Sequence, residues 1–126
     1  MNNPKEKLRK FYDKNGIVET SKMTGLSYYK LITELELSLK TFDDINFEPH
    51  PMGEGVVGVI SFDNGYGASV VQTDFSYGGR LGLYELAVLD NEGHLTYNTS
   101  VTDDVIGYLR PEQVTEKLIE IQDLKN

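Results

Sequence analysis

The chain contains no cysteine, which removes a disulfide framework, a thiolate nucleophile and a cysteine zinc site. Its only histidines, His50 and His94, stand 44 residues apart with no second ligand at zinc spacing. Both read as loop histidines, and no metal is expected. Asp43-Asp44 and Asp103-Asp104 read as turn residues bonding their own backbone rather than cation ligands. Long apolar runs are missing too: the uncharged stretches are broken by Gly, Asn and Tyr well below the ~18 residues of a membrane span, so no membrane partner is expected. No apolar h-region follows Met1-Asn2-Asn3-Pro4-Lys5-Glu6-Lys7, and the expectation is a cytoplasmic protein. There Asn98-Thr99-Ser100 carries no meaning as a glycosylation sequon. Gly53-Glu54-Gly55-Val56-Val57-Gly58 matches G-x-G-x-x-G in letter only, because a proline-containing stretch precedes it and a β-rich run follows. No cofactor is expected. With neither a nucleophile elbow nor a paired histidine, a small hydrolase is the last of the alternatives.

What is present is one domain's worth of chain: 126 residues, 39% hydrophobic and 25% charged, able to bury roughly two thirds of the unfolded surface. The net charge of −8 is unevenly spread. Residues 1–40 hold eight Lys or Arg against five acids, whereas the remaining 86 hold four against fifteen. Such asymmetry points to two surfaces with different partners, the basic one suited to nucleic acid.

The first forty residues read as helices. Asn3-Pro4-Lys5-Glu6 supplies a cap, a proline for the first turn and an acid three positions after the cap, ahead of Leu8, Phe11 and Tyr12 at helical spacing. Asn15-Gly16 ends that helix, Ile17 to Thr24 forms a short second segment, and Ser27 caps a third carrying Leu31, Ile32, Leu35 and Leu39. From Thr41 the texture turns to β: Val56–Phe62, Ala68–Gln72, Leu83–Leu89 and His94–Thr99 are strand-like runs separated by Gly-rich turns. Arg110-Pro111-Glu112 opens a last helix with Val114, Leu118, Ile121 and Leu124 on one side. Residues 40–55, with Pro49 and Pro51, read as a hinge. The expected fold is α+β: a three-helix module over 1–40, then an acidic domain over 41–126 holding an antiparallel meander of about four strands with the C-terminal helix packed on it.

Val18 to Leu31 resembles the helix-turn-helix of DNA-binding proteins. Ser21 is the small residue where two helices touch, Gly25 permits the tight turn four positions on, and Leu26 and Leu31 are apolar wedges. Thr20 departs from the motif where an apolar residue is usual, and so does Glu34, whose packing role Leu35 is placed to take. The resemblance implies that Ser27, Tyr28, Tyr29, Lys30 and Thr33 reach base edges or phosphates in the major groove, with Tyr28 also open to a core role. Lys14, Lys22, Arg9 and Lys10 would meet phosphates.

The strings Asn64-Gly65-Tyr66-Gly67-Ala68-Ser69-Val70-Val71, Ser76-Tyr77-Gly78-Gly79, Gly82-Leu83-Tyr84-Glu85-Leu86-Ala87-Val88-Leu89 and Thr102-Asp103-Asp104-Val105-Ile106-Gly107-Tyr108-Leu109 resemble a family of small uncharacterised phage and prophage proteins over residues 54–124. That resemblance implies a genetic setting, in a bacterial host cytoplasm, and no activity. Two surfaces of the acidic domain are candidates for a protein partner or a second copy in a homodimer. One is the aromatic and basic set Tyr66, Tyr77, Arg80 and Tyr84. The other is a carboxylate stripe, Glu112, Glu116 and Glu120, continued by Asp123 along the last helix. The expected function is a non-enzymatic, phage-like DNA-binding regulator. The alternative is an anti-CRISPR-like inhibitor of a host defence nuclease that acts by protein binding and regulates itself through the helical module.

Overall fold

The computed structural model describes residues 3–125. The chain divides into two compact units, Met1–Leu39 and Lys40–Asn126. Among the described residues it is an α+β protein with three α-helices and one five-stranded antiparallel sheet.

The first unit holds α1 (Pro4–Thr24) and α2 (Tyr28–Leu35), which pack on each other. The Asn3 side chain accepts from the Glu6 N–H at 2.8 Å and starts α1, with Pro4 in the first turn where its missing N–H is not needed. Gly16 interrupts α1 at φ 82° and ψ 173°, a conformation open to glycine and closed to residues with a Cβ. Asn15 and Gly16 therefore do break the helix, and Ile17–Thr24 forms a separate helical stretch of eight residues. Gly25 adopts the left-handed conformation at φ 75°, and its N–H closes on the Ser21 carbonyl at 2.8 Å. Two residues later Ser27 Oγ accepts from the Lys30 N–H at 3.1 Å and opens α2. Ile17, Thr20, Leu31 and Leu35 are buried.

The second unit is built on strands β1 (Glu48–Pro49), β2 (Val56–Ser61), β3 (Gly67–Gln72), β4 (Tyr84–Leu89) and β5 (Ile106–Leu109), each paired antiparallel with its sequence neighbour. Period-2 alternation puts Ile60, Ala68, Val70, Leu86 and Val88 on one face. Helix α3 (Pro111–Gln122) lays Val114, Leu118 and Ile121 against that face, at helical spacing. Full burial of such side chains stabilises by about 1.5–3 kcal/mol each.

The sheet corrects the sequence reading in three places. His94–Thr99 is not a strand; Leu95 makes a single bridge to Leu89 and the chain leaves the sheet. The fifth strand instead comes from Ile106–Leu109, whose Gly107 and left-handed Tyr108, at φ 58°, hide it from a composition reading. Residues 40–55 are not a free hinge. Phe42–Asp44 forms a 3₁₀ turn, Ile45 is buried, and Glu48–Pro49 supplies β1, paired with Val57 and Val56. The G-x-G-x-x-G letters fall in the loop before β2 and in β2 itself.

Candidate nucleic-acid and protein-binding surfaces

In the helical unit, α2 carries its apolar side inward through Leu31 and Leu35 and its polar side outward through Tyr29, Lys30 and Thr33, with Ser27 exposed at its start. Tyr28 is half-buried. The three residues from Gly25 to Ser27 join the eight-residue stretch before them to α2, and Ser21 Oγ ties the turn by donating to the Leu26 carbonyl at 2.7 Å. Thr20, which departs from the motif on sequence, is fully buried, and its hydroxyl donates to the Gly16 carbonyl at 2.6 Å. A satisfied hydroxyl leaves the threonine methyl free to pack as an apolar group would. Glu34 is half-buried and pairs with Lys30 at 3.0 Å, while Leu35 takes the buried position beside it. The bonded Lys30 ammonium holds the Glu34 carboxyl below the usual carboxylate range.

The basic residues fall into three groups. Lys22 pairs with Glu19 at 3.6 Å, as Lys30 does with Glu34, so each would exchange an intramolecular carboxylate for a phosphate. Arg9 donates to the Leu35 carbonyl at the C-terminal end of α2 and lies 5.9 Å over the Tyr12 ring, which makes it a positioning residue for that helix. Lys10 and Lys14 are exposed on α1.

On the acidic unit, Tyr66 packs against the core from a half-buried position, and Tyr84 meets Phe42 edge to face and Phe47 at a tilt, at centroid distances of 5.1 and 5.5 Å. Both rings are occupied by packing, whereas Tyr77 and Arg80 are exposed. The carboxylate stripe is broken by its own cations. Arg110 Nε bonds Glu112 at 2.7 Å and holds its carboxyl below the usual range, Lys117 Nζ bonds Glu120 at 3.1 Å, and Glu116 is half-buried.

One feature of the surface was not among the binding surfaces expected from sequence. A cleft of about 680 Å³ opens at the end of β3, with Val71 and its cross-strand neighbour Glu85 in its lining. The 50–55 loop contributes Met52 and Glu54, and the turn after β3 contributes Asp74 and Phe75. Phe75 is 94% exposed and Met52 88%. The sequence signal was Thr73-Asp74-Phe75-Ser76, hydroxyl residues spaced to close a turn with an aromatic residue at its tip.

No protein-family model matches the chain, and no curated protein or solved structure matches it. No described helix is long and apolar enough to cross a membrane.

Proposed function

We propose that the protein is a non-enzymatic DNA-binding regulator of phage type, in which residues 17–35 act as a helix-turn-helix and α2 enters the major groove. The observation that carries this reading is the sidedness of α2. Leu31 and Leu35 are buried while Ser27 at the cap, Tyr29 and Lys30 in the first turn and Thr33 one turn further on stand exposed, and a recognition helix presents base-reading side chains from its amino-terminal residues. The glycine-hinged three-residue turn supports it, since DNA-binding helix pairs are joined by a turn of that size. Lys14, Lys22 and Lys10 supply phosphate contacts, and Arg9 fixes the far end of α2. The acidic unit, carrying most of the negative charge, serves protein binding, either to a second copy or to another chain.

Gel shifts of the full chain on the DNA upstream of its own gene, at low and moderate salt, test the reading. A shift at micromolar protein that weakens steeply with salt is expected, because each neutralised phosphate contributes a log–log slope of about 0.9. Absence of any shift at low salt overturns it.

A further inference from the structure

We propose that the cleft between the 50–55 loop and the Thr73–Ser76 turn docks a peptide segment of a partner protein in which a bulky apolar side chain lies beside Lys or Arg. The inference rests on the protein-binding part of the reading above and is independent of the DNA-binding part.

The apolar requirement comes from Phe75 and Met52. Large apolar side chains left almost wholly in water gain most when a partner covers them. Phe75 is also presented on a fixed backbone. Thr73 Oγ1 accepts from the N–H groups of Phe75 and Ser76 at 3.1 and 3.0 Å, and Ser76 Oγ accepts from Thr73 N–H at 2.9 Å while donating to its carbonyl at 3.1 Å. Pinning the turn in advance lowers the ordering cost that a binding loop otherwise meets. Val71 continues the apolar surface into the cleft.

The cationic requirement comes from the rest of the lining. Glu54, Asp74 and Glu85 contribute carboxylates, and among the described residues no Lys or Arg lines the cleft. Glu85 is held in place, since its Oε1 accepts the Tyr77 N–H at 2.9 Å. His50 also lines the cleft, and its Nδ1 accepts from the Met52 N–H at 3.1 Å. A volume of about 680 Å³ takes a few side chains of an extended or helical segment, in the range of pockets that bury most of a small ligand. Acidic walls around an apolar anchor favour a basic-apolar segment and repel an acidic one.

A random twelve-residue peptide library selected on the immobilised full chain, with counter-selection on the Phe75→Ala, Asp74→Lys double variant, tests the proposal. Enriched peptides are expected to carry Phe, Leu, Ile, Met or Trp within three positions of Lys or Arg. A synthetic peptide of the enriched sequence should bind at least tenfold more weakly to the double variant and several-fold more weakly at raised salt. Both substitutions fall on exposed side chains, so an unchanged melting curve confirms that fold is retained. Two single variants, Phe75→Ser and Asp74→Asn, give the same readout if the double variant does not fold. The proposal is overturned by three results: no enrichment over the variant, equal binding to both proteins, or enriched peptides lacking a basic residue. It is overturned too if the only occupant found is a second copy, seen as concentration-dependent dimerisation that Phe75→Ser abolishes. DNA binding of these variants should match the parent chain, so loss of the cleft reading leaves the gel-shift result standing.

Discussion

Asn64 Nδ2, in the turn between β2 and β3, lies 2.8 Å from the carbonyl oxygen of Ile121 near the end of α3. The same amide donates to the carbonyls of Gln122 and Leu124 at 3.2 and 3.0 Å, and so ties the turn to the chain leaving α3, where the Ile121 carbonyl also accepts from the Leu124 N–H at 3.1 Å. Replacing Asn64 with Ala should cost about 1–3 kcal/mol, from the roughly 0.5–1.5 kcal/mol net that each lost hydrogen bond contributes. Asn64→Asp should be worse, because a carboxylate turns lone pairs toward the carbonyls. Urea midpoints of the two variants check this; midpoints equal to the parent's would show that the carbonyls find water instead.

Two glycines separate backbone conformation from space. At Gly25 the left-handed φ of 75° is the whole constraint, since a Cβ there would meet nothing within 4 Å. Gly25→Ala should therefore cost about 1–2 kcal/mol. At Gly79 the constraint is steric, because a Cβ would run into the Thr73 carbonyl oxygen. Gly79→Ala should cost at least about 1–3 kcal/mol and disturb the Thr73–Ser76 turn. Thermal melts rank the two, and a near-neutral Gly79→Ala would contradict the account.

The proposed DNA contacts divide by chemistry. Lys14→Ala should weaken binding to all sequences alike and reduce the salt slope by about 0.9. Thr33→Ala should narrow the gap between the best site and a mutated one by about 1–3 kcal/mol, leaving the slope unchanged, if Thr33 reads a base edge. Lys22→Glu with Lys30→Glu should abolish binding near physiological salt. Fluorescence titrations over a salt series distinguish these outcomes, and a uniform loss from Thr33→Ala would assign that residue to the backbone.

Asp90 opens the turn after β4, where its Oδ1 accepts from the N–H groups of His94 and Glu92 at 3.0 and 2.9 Å. These bonds hold its carboxyl below the usual Asp range. A carboxyl whose folded value is depressed contributes stability that is complete above the unfolded value and lost as the pH falls through the folded one. The gap in melting temperature between the parent and Asp90→Ala should thus be constant near neutrality and shrink in acid. Carbon-13 titration of the Asp90 carboxyl gives the value directly, and an ordinary midpoint would remove the effect.

Where a local signal had a single outcome, the chain was readable from sequence. Asn3, Pro4, Gly16, Gly25 and Ser27 each act where the helical pattern places them, and the runs forming β2, β3 and β4 are strands because alternation and turn glycines agree. His94–Thr99 failed because its hydroxyl residues had a local alternative. Thr96 Oγ1 accepts from the Asn98 N–H and Thr99 Oγ1 from the Val101 N–H, side-chain bonds that compete with a ladder. The proposed recognition helix was legible through its polar face. The Phe75 cleft was not, since it joins a turn and a loop twenty residues apart in sequence with a sheet residue, Glu85, further along. Only the sheet register brings them together.

The meander has a consequence for how the protein is made. Each strand pairs with the next in sequence, so the sheet grows by short-range hairpin closures, which are fast. Its helix closes over the longest intervals in the unit: Gln122 exchanges two hydrogen bonds with Lys40 across 82 positions, and the Thr115 hydroxyl accepts from the Phe42 N–H across 73. On a translating ribosome the strands are complete before α3 has been synthesised. Until it emerges, the face holding Ile60, Val70, Leu86 and Val88 has no helix over it, and these residues form the sticky surface of the nascent chain.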